Sequence, residues 1–132
     1  MTAFINELKN EHAEIKNSLD KIHQIGHFTK ETRVELMIVK DYLFRHLGKE
    51  DGEVYTKLKE AAFKDEDLKN IFQYFEDESE LISKFAFIFF DKYSSRDASA
   101  VGFQREFNMI YSTLMKRIEK EEEILFPEYE KL

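Results

Sequence analysis

His46 and Glu50 stand four residues apart in a stretch whose apolar side chains recur at steps of three and four, so both project from one face of a helix. Such a pair can hold one metal ion between an imidazole nitrogen and a carboxylate oxygen, and His12 can join it from a neighbouring helix. Imidazole with carboxylate suits iron, zinc or manganese better than magnesium or calcium, which prefer oxygen alone. The chain has no cysteine, which removes thiolate metal sites, a cysteine nucleophile and a disulfide framework. Neither a Ser-His-Asp arrangement nor a glycine-rich phosphate loop is found. Any chemistry therefore rests on these histidines and carboxylates, and the protein is expected not to be an enzyme.

The elements that position them can be read from the breaks. In 132 residues there are four glycines and one proline. Turn formers and capping residues gather at Gly26 to Thr32, Ala62 to Asp67 and Ser94 to Ala100, and Pro127 is expected to end the last helical pattern. Four helices are predicted, roughly 3–25, 31–60, 66–92 and 99–125, with links short enough to make neighbours antiparallel. The fold class is all-α, an antiparallel up-down-up-down four-helix bundle forming a single domain over 1–132.

Each helix carries one core stripe. The first reads Ile5, Leu8, His12, Ile15, Leu19, Ile22, and the second Leu36, Val39, Leu43, His46, Glu50, fraying to Glu53 or Val54. The third reads Leu68, Phe72, Phe75, Ser79, Ile82, Ala86, Phe89, and the fourth Phe103, Phe107, Ile110, Leu114, Arg117, Glu121, Ile124. His12, His46, Glu50, Ser79, Arg117 and Glu121 interrupt these stripes at heights that coincide in an antiparallel bundle. Each buried polar group without a partner costs about 1–3 kcal/mol, so six at one level point to a site.

The chain also repeats itself: residues 43–51 resemble 114–122, and the likeness runs on from Val54-Tyr55 to Leu125-Phe126. In that alignment His46 corresponds to Arg117, Glu50 to Glu121 and, more weakly, His12 to Ser79.

Glu11-His12-Ala13-Glu14-Ile15, His46-Leu47-Gly48-Lys49-Glu50 and the run from Ile118 to Pro127 fall in order and on the expected helices. On these motifs the sequence resembles the hemerythrin-like (HHE cation-binding) domains over nearly its whole length. The resemblance implies an antiparallel four-helix bundle holding a carboxylate-bridged pair of irons for dioxygen binding, oxygen or redox sensing, or iron handling. It carries ligand roles to His12, His46, Glu50 and Glu121, with Glu122 the alternative for the last. Where family members place histidines of the second iron, this chain has Phe75, Ser79 and Arg117. Guanidinium stays protonated and repels a cation. The first reading is therefore a reduced, mononuclear iron site rather than a di-iron one, binding a metal ion and dioxygen. The alternative is a metal-free interaction module in which Arg117 bridges Glu50 and Glu121.

The remaining features are assigned away from the site. His23 and His27, near the Gly26 break, are expected to serve the helix dipole. Phe87 and Phe90, in the apolar run from Phe85 to Phe90, are offered as a homodimer surface. Runs such as Glu76-Asp77-Glu78 and Glu119 to Glu123 are read as solvated faces, except for Glu121. The net charge of −7 argues against nucleic acid, and no apolar run spans a bilayer or forms an export signal, so the expected location is cytoplasmic.

Overall fold

In the computed structural model, which describes residues 2–95 and 98–132, the chain folds into four helical rods. The first is α1 (Ala3–Ile25), started by the Thr2 hydroxyl, which accepts the Ile5 N–H. It ends on Gly26 at φ 79°, a left-handed conformation that favours glycine. The second joins α2 (Lys30–Lys49) to α3 (Tyr55–Ala62) through a π-helical turn, Glu50–Val54. The third is α4 (Glu66–Tyr93). The fourth joins α5 (Phe103–Lys120) to α6 (Phe126–Glu130) through a second π-helical turn, Glu121–Leu125.

Cross-helix bonds give the directions. Lys49 reaches Glu7 while His46 reaches Glu11, so α1 and α2 run antiparallel. Lys92 meets Glu106 while Arg117 meets Glu78, so α4 and α5 do as well. Asp20 receives the Tyr111 hydroxyl while His12 meets Glu121, which sets α1 against α5 in the same sense.

Asp65 caps α4 by accepting from the N–H groups of both Asp67 and Leu68, at 3.1 and 3.2 Å. Asp65→Ala should lower stability by about 1 kcal/mol in urea denaturation, the usual cost of a lost N-cap.

Several boundaries differ from the sequence reading. The fourth rod begins at Phe103, not 99, because Gly102 takes φ 80° and turns the chain into the helix there. Arg96 and Asp97, within the third joint, lie outside the described residues. Pro127 does not end the last helix, which continues to Glu130. The proline ring has no N–H, and it sits just past the π-helical turn, where the register of hydrogen bonds is already changing.

The core is divided. One cluster, including Leu19, Leu43, Phe89, Phe107 and Leu114, fills one end of the bundle. The other, including Leu8, Leu58, Phe72, Phe75 and Phe126, fills the opposite end. His12, His46, Glu50, Arg117 and Glu121 are the buried polar groups between them. Phe90 corrects the proposed dimer surface: it is only 1% exposed and packs edge-on against Phe44 and Phe89, whereas Phe87 stays exposed. The described helices include none long and apolar enough to cross a membrane.

Candidate metal centre

The polar layer is built by the two π-helical turns. Glu50 and Glu121 each open one, and each accepts the backbone N–H five residues on, from Tyr55 and Phe126. The extra residue per turn changes the inward stripe from a three-four rhythm to Glu50, Val54, Tyr55 and to Glu121, Leu125, Phe126. Ile124, assigned inward by the sequence stripe, is exposed for this reason. The fraying at Glu53 or Val54 has the same origin, and Val54 is the buried one.

His12, His46, Glu50 and Glu121 are all buried, and each offers one ligand atom within 4.8 Å of the others. The two imidazoles lie with centroids 4.5 Å apart. Nε2 of His12 is 2.9 Å from Oε1 of Glu121, and Nε2 of His46 is 2.8 Å from Oε1 of Glu50. The outer nitrogens are engaged elsewhere: His12 Nδ1 lies 2.8 Å from Glu122 Oε2, and His46 Nδ1 lies 2.8 Å from Glu11 Oε1. A carboxylate can only accept, so each Nδ1 carries the proton and donates it. In a neutral imidazole that leaves the Nε2 lone pair facing inward.

This arrangement fits a cation. His46 Nε2 and both oxygens of Glu50 are buried without a hydrogen-bond partner, despite their closeness. Buried atoms without a partner, in a cluster where each of four residues offers one ligand atom within 4.8 Å of the others, have the lone pairs that a divalent ion takes. The outer Glu11 and Glu122 each hold an Nδ1 proton and so orient the two imidazoles, the placing that carboxylates take behind the histidines of metal sites in general. Sequence reasoning missed Glu11 and held Glu122 only as an alternative ligand. Their adjacency to His12 and Glu121 was the available signal, but only the packing shows that Glu11 serves His46 rather than its neighbour.

Arg117 differs from the sequence expectation. Its Nε donates to Glu121 Oε2 at 3.2 Å, but its remaining bonds go to Glu78 Oε1 at 3.1 Å, the Phe75 carbonyl at 3.0 Å and the Tyr55 hydroxyl. Its guanidinium also lies over the Phe75 ring, 4.6 Å from the centroid. Glu50 is not among these partners, so the predicted Arg117–Glu50 contact is absent among the described residues. The guanidinium reaches across to α4, whose Glu78 is half-buried rather than a solvated acid. Ser79 is partly exposed and stands outside the ligand cluster. His23, near the end of α1, is exposed and stacks on Tyr111 with centroids 4.9 Å apart.

Without a metal, the charges are redistributed among the same groups. Burial opposes the charge on His46, but the surrounding carboxylates of Glu121, Glu50 and Glu11 prevail and push its pKa up to about 10. Burial, with the Glu121 charge, drives the Glu50 carboxyl well above the usual carboxylate range. Burial would raise Glu121 too, but His12, His46, Glu50 and Arg117 hold it low. The His46 contribution to metal-free stability is complete below its unfolded value near pH ~6.5 and disappears as pH rises through about 10. The melting temperature of the metal-free protein should therefore fall between pH 7 and pH ~10.5, as read by circular dichroism. A flat profile would contradict a charged His46.

The comparisons agree with this geometry. The family model for the hemerythrin HHE cation-binding domain matches residues 3–129. No match was found among curated proteins or among solved structures. With a four-helix bundle, a buried histidine–carboxylate cluster between its two core halves and a family match over nearly its full length, the chain belongs to the hemerythrin HHE cation-binding domain family.

Proposed function

We propose that the protein holds one non-haem iron ion through His12, His46, Glu50 and Glu121, and that its role is binding or sensing of oxygen, redox state or metal rather than catalysis, in the cytoplasm. The observation that carries this reading is the buried cluster of these four residues, each offering a ligand atom within 4.8 Å of the others, in which His46 Nε2 and both Glu50 oxygens lack a hydrogen-bond partner. Charge supports a single ion. Glu50 and Glu121 balance one divalent cation, and Arg117 is balanced by Glu78. A second ion would bring two further positive charges against a guanidinium already bonded to Glu121 Oε2. Arg117 thus supplies the positive charge that a second cation would bring; its Nε holds Glu121 Oε2, and Oε1, beside His12, would be the oxygen left to an ion.

Bound iron supplies a one-electron redox change and coordination positions beyond the four protein ligands. The chain's own residues define what reaches it. Glu11 and Glu122 hold the Nδ1 protons and so fix both imidazoles. Phe126 stacks on His12 at 5.4 Å and, with buried Val54 and Leu8, keeps water from that side. Lys49 pairs with both Glu7 and Glu11, tying the His46 relay to the surface.

Anaerobic titration with ferrous ion against a chelator should saturate at one equivalent per chain. Saturation at two, or no uptake, would overturn the reading. Glu11→Gln should weaken binding by about 10–100-fold, the usual effect of losing an outer-shell carboxylate, with the stoichiometry unchanged.

A further inference from the structure

On the outer side of the bundle, α4 and α5 leave a cleft of about 350 Å³ between them, within the lower range of small-molecule sites. Because the helices are antiparallel, its two ends differ. At one end Leu81 and Phe85 of α4 meet Met109 of α5, and at the other Lys116, Arg117 and Lys120 of α5 gather opposite Glu78. Leu81, Phe85 and Met109 are 65, 60 and 55% exposed, in a chain whose mean hydropathy is only −0.54. Glu78 is the single acid lining the cleft among the described residues, and it is already engaged by Arg117 at 3.1 Å and Lys120 at 3.3 Å. Lys116 forms no ion pair among the described residues. The polar end therefore carries surplus positive charge in a protein whose net charge is −7.

We propose that this cleft binds a free amphiphilic carboxylate, its alkyl tail along Leu81, Phe85 and Met109 and its head group on Lys116 and Lys120. Charge complementarity selects the anionic head. Length selects the tail: the seven-residue step from Glu78 to Phe85 spans about 10 Å of helix, comparable with a medium alkyl chain. This site is distinct from the iron ligands, so its test can be run on the metal-free protein and does not depend on the proposed function.

Decanoate, below its micellar concentration, is the probe, with decyltrimethylammonium as the same tail under the opposite charge. Calorimetry should show saturable one-to-one decanoate binding at least ten times tighter than that of the cationic analogue. Lys116→Glu should weaken decanoate binding at least tenfold, and Phe85→Asp should abolish it, both side chains being solvent-exposed and their helices unaffected by circular dichroism. Equal affinity for the two head groups, insensitivity to Lys116→Glu, or the absence of saturable binding would overturn the proposal. So would a dimer that Phe85→Asp converts to monomer without any decanoate binding, because the face would then be a self-association surface.

Discussion

His46→Leu is expected to abolish stoichiometric iron binding, weakening it by more than about two orders of magnitude, while the helical circular dichroism spectrum is retained. An outer-shell carboxylate already accounts for about 10–100-fold in metal affinity, and removing a direct ligand removes more. Leucine suits the position, since His46 occupies a core stripe between Leu43 and Glu50. The substitution leaves Glu50 without its imidazole neighbour, but that carboxyl is held well above the usual range by burial and can stay protonated. The helical fold should therefore persist without the metal, with the melting temperature of the metal-free variant lowered by loss of the charged His46. Retained iron in the variant would mean that the ion sits elsewhere.

Arg117→Leu has the opposite profile, its main effect being on stability. The guanidinium is 6% exposed and satisfies Glu121 Oε2, Glu78, the Phe75 carbonyl and the Tyr55 hydroxyl together. Removing it leaves the buried Glu121 Oε2 without its donor and takes a second bond from the Phe75 carbonyl. Breaking one side of such a buried ion pair costs about 3–5 kcal/mol. Urea denaturation should show a midpoint shift of that size, and Arg117→Lys should recover only part of it, because an ammonium keeps the charge but not the planar fork. A change below about 0.5 kcal/mol would show that Arg117 does not hold the two halves of the layer together.

Much of this organisation was legible in the residue pattern. The three-four spacing located the four rods because burying one face per helix is the main constraint on a bundle, and the six polar interruptions located the layer because such groups are costly to bury without partners. The internal repeat paired Glu50 with Glu121, and the structure gives the two residues the same backbone role at the start of a π-helical turn. The turn itself was not legible. An inserted residue appears in sequence only as a fraying stripe, and the same signal is produced by an ordinary helix end. Glu78 and Glu11 were hidden for another reason: a half-buried carboxylate that serves a group on another helix has the local sequence of a solvated one. Phe90 was misplaced because an apolar run all round a helix does not say which of its faces meets two neighbours.

The most direct test is an anomalous-scattering map from crystals of protein loaded with ferrous ion. A single peak in contact with His12, His46, Glu50 and Glu121, with Arg117 still bonded to Glu121, is the predicted result. An empty map at that point, or two peaks with Arg117 displaced toward solvent, would contradict a one-metal centre.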